Sequence, residues 1–382
     1  MSNKVLHVVN ISFVLPYYLG EQITYFRDKN FSIAIACCDS DEFLKFCHEH
    51  NTNPIPLKIT RKFDLFNDLK SIFNLIIQIR KNNFNIVIGH TPKGGLISMI
   101  ASYITNTKKR IYFRHGLMFE TSKGFKRSFL IAIEKFTGFL ATDVICVSNS
   151  VLEVSNKLNL SSPTKNKILN IGTCNGIDSI YKFNPNNISE NVKINFKKQH
   201  DIYPNDIIIG FVGRIVKDKG IEELILAWKN LIITNTNVKL ILVGPFEARD
   251  SVDSTIQDYI VNEKSIIYVG EQLDTFVYYS ILDIFILPSY REGFPTVVLE
   301  ASSMQLPVIT TKNTGCIDSI QENITGIYCD LTTNSIMKSI KYYIDNPLLR
   351  KNHGINGRDF VVNNFNQKLI WKEIEKIMTS IN

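Results

Sequence analysis

Short, almost wholly apolar runs recur along this chain, and each is followed by a longer segment with helical spacing. The first set reads K-V-L-H-V-V (4–9), S-I-A-I-A-C (32–37), N-I-V-I-G-H (85–90), R-I-Y-F-R-H (110–115) and D-V-I-C-V-S (143–148). A second set reads I-I-I-G-F-V-G (207–213), K-L-I-L-V-G (239–244), S-I-I-Y-V-G (265–270), D-I-F-I-L-P (283–288), P-V-I-T-T (307–311) and T-G-I-Y-C (325–329). A strand with no polar alternation is buried on both faces. Strand–helix alternation of this kind therefore predicts parallel sheets covered by helices on both sides.

Between the sets lies an Asn- and Lys-rich stretch, 185–205, which reads as a linker with a surface helix. At 382 residues the chain has the length of two domains. The expectation is an α/β chain of two doubly wound, Rossmann-like domains facing across a cleft, with ligands outside the carboxyl ends of the strands. The boundaries read as 1–172, 173–362 and a terminal segment 363–382. In that segment Leu369, Ile370, Ile374 and Ile377 make an apolar face for a helix packing back toward the N-terminal domain.

Composition narrows the class. Apolar residues make up 45% and charged residues 21%, the profile of a packed globular chain. A net charge of +7 suits an anionic substrate or surface and gives no reason to expect nucleic acid. The 7 cysteines show no C-x-x-C pair and read as buried small hydrophobes in a reducing compartment. No signal peptide and no run of 18 uncharged apolar residues is read, so no transmembrane helix is expected.

Two stretches carry chemistry. In F-V-G-R-I-V-K-D-K-G (211–220) a strand ends at Gly213, and Arg214 and Lys219 then stand before a helix. Two cations at that place suit a diphosphate, Arg as a fork and Lys as a point charge. In R-E-G-F-P-T-V-V-L-E (291–300) Pro295 fits the first turn of a helix, so the amides of Thr296, Val297 and Val298 would face an anion. Glu292 and Glu300 stand on either side of that helix start. Alone, each stretch also reads as a solvated loop and a surface carboxylate.

Together they resemble the GT-B retaining glycosyltransferases of family 4. G-R-x-x-x-x-K-G is followed by E-G-F-P-x-x-x-x-E, the family's pair of glutamates with seven residues between them. C-N-G-I-D (174–178) and V-S-N-S (147–150) are similar to further family segments. The resemblance implies that Arg214 and Lys219 hold the donor diphosphate and that Glu300 takes the ribose hydroxyls. Glu292 would sit by the transferred sugar, with Gly293, Phe294 and Pro295 contacting it. Gly213, Thr296 and Val297 would line the donor, and Gly270 and Glu271 would lie near the base. The catalytic set implied is Glu292, Arg214, Lys219 and His115. No metal and no cofactor is expected, the nucleotide-sugar being the substrate. Asp39-Ser40-Asp41 reads as a helix cap.

The resemblance assigns the N-terminal half to the acceptor. G-H-T-P-K-G-G-L (89–96) and Y-F-R-H-G-L (112–117) place His90, Lys93, Arg114 and His115 toward the cleft. His115 would either position a hydroxyl or act as a base. One departure is the loop N-I-S-F-V-L-P-Y-Y-L-G (10–20), which lacks the family's Gly-Gly pair. Its Phe13, Tyr17 and Tyr18 suit a lipid-linked acceptor, or a core. T-S-K-G-F-K-R-S-F-L-I-A-I-E-K-F (121–136) is basic, then apolar, and reads as a membrane-surface helix or as a buried helix with a charged entry.

The resulting expectation is a cytoplasmic enzyme on the inner face of the plasma membrane. It would move a sugar from a nucleotide donor, expected to be UDP-linked, to a polyprenyl-diphosphate-linked glycan, in capsule or O-antigen assembly. The alternatives are a UDP-sugar epimerase or hydrolase of the same fold, and a non-catalytic nucleotide-sugar binder.

Overall fold

The computed structural model describes residues 3–60 and 64–380. The chain divides into two compact units, residues 1–176 with 367–382, and residues 177–366.

The first unit holds a parallel sheet of seven strands: β1 (Lys4–Val8), β2 (Ser32–Cys38), β3 (Asn53–Leu57), β4 (Ile86–Gly89), β5 (Lys109–Arg114), β6 (Asp143–Cys146) and β7 (Asn166–Lys167). Their order is β3-β2-β1-β4-β5-β6-β7, so the winding reverses between β1 and β4. Two strands fall outside the apolar runs. β3 is N-P-I-P-L, and its prolines are tolerated because it is an edge strand. β7 has two residues on the opposite edge.

The second unit holds six parallel strands: β8 (Ile207–Val212), β9 (Val238–Val243), β10 (Ile266–Gly270), β11 (Ile284–Leu287), β12 (Val308–Thr310) and β13 (Gly326–Tyr328). Their order is β10-β9-β8-β11-β12-β13, with the reversal between β8 and β11. The strand interiors are almost entirely buried, as unbroken apolar runs require. Each unit is thus a doubly wound, Rossmann-like α/β domain.

The stretch 185–205 is no linker between units. It lies inside the second, where helix Glu190–Gln199 buries none of its residues. The passage from one unit to the other falls at Gly176 and Ile177, within C-N-G-I-D. Buried Asn175 accepts from the Trp371 indole at 2.7 Å and donates to the Tyr17 carbonyl at 3.1 Å. Helix Gln367–Thr379 thus belongs to the first unit, burying Ile370, Trp371, Ile374 and Met378. Leu369 and Ile377 are half-buried beside that face. Ser40 caps helix Asp41–Glu49 by accepting from the Phe43 amide at 3.2 Å, and Ser148 of V-S-N-S caps helix Asn149–Lys157 in the same way.

Candidate functional site

In the second unit the chemistry gathers at the carboxyl ends of β8 and β11, on either side of the winding reversal. Arg214 follows β8, stands 46% exposed and pairs with Glu247. Such a pair holds its partners weakly, leaving the guanidinium able to exchange for a phosphate. Lys219 ends a short 3₁₀ turn, Lys217–Lys219. Its ammonium pairs with Glu292 across the gap between the two loops, both side chains being largely buried. An ammonium has three protons to give, so Lys219 can hold Glu292 and an anion together.

The two loops are stitched by Asp218. Its carbonyl accepts from the Tyr290 amide at 2.9 Å and from the Ser289 hydroxyl at 3.1 Å, and its carboxylate accepts from Arg291 at 2.7 Å. Gly220 sits at φ +68°, where a Cβ would stand 2.0 Å from the Pro288 carbonyl oxygen. Gly315, at φ +78°, lets the loop after β12 approach the carbonyls of Glu292 and Gly293.

Helix Thr296–Ser303 follows, with Pro295 at its N-cap rather than in its first turn. The Pro295 carbonyl accepts from the Val298 amide at 3.0 Å. Thr296 and Val297 are therefore the leading amides, and Val298 is already used. Glu300, one turn in, is no surface carboxylate: it is 6% exposed and accepts from the Tyr279 hydroxyl at 2.8 Å. Burial pushes its carboxyl up to about 7, partly opposed by the Tyr279 bond. Phe294 packs against Phe365 with ring centres 5.3 Å apart. Gly213 and Gly270 lie at the ends of β8 and β10, joined through β9 by the Gly244 amide donating to the Gly270 carbonyl at 2.8 Å. Glu271 is exposed just beyond.

The first unit brings His90 and His115 together and separates them from Arg114. His90 Nδ1 lies 3.0 Å from His115 Nε2. A third imidazole, which the strand pattern hides, completes a row: His7 Nδ1 on β1 is 3.1 Å from His90 Nε2. Tyr18 stacks on His115 with ring centres 3.8 Å apart. Arg114 does not project toward a ligand. It is fully buried, bonded to Glu134 at 2.9 Å and to Ser155 and Ser161 at 3.0 and 3.2 Å. It ties β5 to helix Gly124–Leu140 and to the segment after β6, because a guanidinium this deep must be paired. Lys93 is also taken up, its ammonium 2.7 Å from Asp68 and 8% of its side chain exposed. Among the described residues no group of three or more His, Cys, Asp or Glu side chains is arranged to hold a metal ion.

Comparison with known proteins shows the family. The family described as "Glycosyl transferases group 1" matches residues 192–360, and "Glycosyl transferase 4-like" matches residues 4–148. The capsular polysaccharide biosynthesis glycosyltransferase CapM of Staphylococcus aureus is 35% identical over 98% of this chain and 97% of its own. The chain belongs to the family 4 glycosyltransferases. Another relative of this glycosyltransferase, from Escherichia coli, is a UDP-Gal:alpha-D-GlcNAc-diphosphoundecaprenol alpha-1,3-galactosyltransferase. It is 25% identical over 92% of this chain and 88% of its own. Among solved structures, Anabaena HepE in complex with UDP-glucose superimposes with a TM-score of 0.80 at 18% identity, covering 99% of this chain and 100% of that one. A glycosyltransferase from Rickettsia africae does so at 0.82 and 21% identity, covering 99% and 98%.

Proposed function

We propose that this glycosyltransferase moves a sugar, with retention, from a UDP-sugar to a polyprenyl-diphosphate-linked glycan during surface-polysaccharide assembly. The observation that carries the donor half is the Lys219–Glu292 pair between the loops after β8 and β11, with Arg214 on the same side. In this reading Lys219 and Arg214 take the diphosphate, and neutralise charge as the nucleotide leaves. Glu292 orients Lys219 and meets the sugar. The Thr296 and Val297 amides add the positive end of a helix. Glu300 receives the ribose hydroxyls, which supply the hydrogen bonds a buried carboxylate needs. His115 positions the reacting hydroxyl.

The acceptor half rests on the relatives that act on diphosphoundecaprenol-linked sugars, the Escherichia coli protein among them. No helix of the described residues is long and apolar enough to cross a membrane. Helix Gly124–Leu140 instead exposes Phe125 (86%) and Phe139 (65%), with Lys123, Lys126 and Arg127 exposed at its start. Helix Leu65–Asn82 exposes Leu65, Phe66 and Phe73. Both pack against helix Pro92–Ile104. Aromatic and basic side chains arranged in this way suit an anionic membrane surface at the cytoplasmic face.

The test is a screen of UDP-, GDP- and ADP-sugars with a polyprenyl-diphosphate-linked acceptor, read by nucleotide release and product mass. Lys219→Ala is expected to lower kcat by about 10²–10³. Near-wild-type turnover in that variant overturns the donor assignment, and no transfer with any donor overturns the function.

A further inference from the structure

His7, His90 and His115 stand at or just after the carboxyl ends of β1, β4 and β5, three neighbours in the sheet. His7 and His90 are each 2% exposed, and neither can meet a substrate directly. Two nitrogen-to-nitrogen bonds, 3.1 and 3.0 Å, join the rings in a row. Burial holds all three histidines well below their ordinary range, so each ring is neutral and carries one proton.

That count leaves two arrangements. Each ring-to-ring bond needs one proton, and His90 has one to give. If His90 carries it on Nδ1, it donates to His115 Nε2. His7 must then donate from Nδ1, and His115 carries its own proton on Nδ1. If His90 carries it on Nε2, every ring carries it there, and His115 Nδ1 is a bare acceptor. Mixed states break a buried bond.

We infer that His7 and His90 are positioning residues that tie the tautomer of His115 to their own, so that its Nδ1 donates or accepts only in step with the whole row. This rests on the proposed role of His115 beside the reacting hydroxyl. With His7 shut away from solvent, the row acts as a lock and not as a path carrying protons out. Tyr18 and Phe113, stacked on His115 and His90 with ring centres 3.8 and 4.9 Å away, hold the ring planes.

The test uses the full-length enzyme with ¹⁵N-labelled histidine. The chain has 7 histidines, few enough to assign. In wild type His7, His90 and His115 should show the same neutral tautomer. His7→Phe keeps the ring and removes the nitrogens. It leaves His90 Nε2 without its ring partner, so the balance between the two arrangements at His90 and His115 should shift from that of wild type, and kcat should fall about 10–100-fold with donor KM little changed. His7→Asn, whose amide can meet His90 Nε2 in either sense, should return the balance toward wild type and restore most of the turnover. Opposed tautomers in wild type overturn the inference, as does an unchanged His115 tautomer balance in His7→Phe. A shifted His115 balance with unchanged kcat overturns its catalytic consequence. The spectra do not depend on transfer, so failure of the lock is distinguishable from failure of the glycosyltransfer assignment.

Discussion

Replacing Glu300 by Gln should remove a pH-dependent cost of folding and, with Glu300 in its proposed role, weaken binding of the nucleotide. The carboxyl has an ordinary value of 4.5 in the unfolded chain and about 7 in the folded one, because it is buried. Below pH 4.5 both states are neutral there and nothing is lost. Between 4.5 and 7 the unfolded chain ionises first, and folding stability falls as pH rises. Above 7 the whole cost is present: about 2.5 pH units at about 1.4 kcal/mol each, or roughly 3 kcal/mol. Gln keeps an oxygen for the Tyr279 hydroxyl and never ionises, but its buried amide nitrogen adds a cost that does not vary with pH. The readout is therefore the pH dependence of the difference between variant and wild type. From pH 5 to 8.5 the Tm difference should move in favour of Gln. For the second unit, residues 177–366, the shift should be roughly 6–12 °C at about 2–4 °C per kcal/mol. Saturating UDP should stabilise wild type more than the variant. Parallel Tm-versus-pH curves would refute the account of Glu300 as a carboxylate whose charge is costly until a ligand meets it.

Three further outcomes follow from the same geometry. Gly220→Ala forces a Cβ within 2.0 Å of the Pro288 carbonyl in left-handed backbone; about 1–3 kcal/mol of stability should be lost, measured in urea, and UDP affinity should fall with it. Arg114→Leu leaves the buried Glu134 carboxylate with no cation and only the Tyr112 hydroxyl, donating at 3.0 Å, and should cost about 3–5 kcal/mol by thermal unfolding. Any folded variant should keep the wild-type acceptor KM, since Arg114 is fully buried against protein partners. His7 is depressed to about 3, so its contribution is complete above pH 6.5 and is lost as pH falls toward 3, at about 1.4 kcal/mol per pH unit. His7→Phe should flatten that part of an acid-denaturation curve.

The sheets were legible because a strand buried on both faces needs an unbroken apolar run, and the chain supplies such runs at β1, β2, β4–β6 and β8–β13. β3 was not, because prolines 54 and 56 argue against any strand except an edge, and edges are defined only once neighbours are known. The places of Arg214, Lys219 and Glu292 were legible for a related reason: they lie in short loops whose positions follow directly from the strand ends before them. The first unit read less well. Arg114 looked like a cation at a strand end, and its partner Glu134 lies 20 residues on, in another element. His7 was hidden inside K-V-L-H-V-V. The available signal was an ionisable side chain in the buried interior of the strand, past the half-buried Lys4 at its start.

The last helix has a consequence for how this protein is made. Asn175 waits for Trp371, 196 residues further along, and every residue of the second unit is synthesised in between. At ordinary translation rates of about 5–20 residues per second, that interval is roughly 10–40 s. Through it the first unit stands on the ribosome with Asn175 lacking its Trp371 partner, while the second unit has all its residues in one continuous stretch. The first unit therefore waits for its last helix until every residue of the second has been made. Chaperones meeting this protein would meet it at its amino-terminal half.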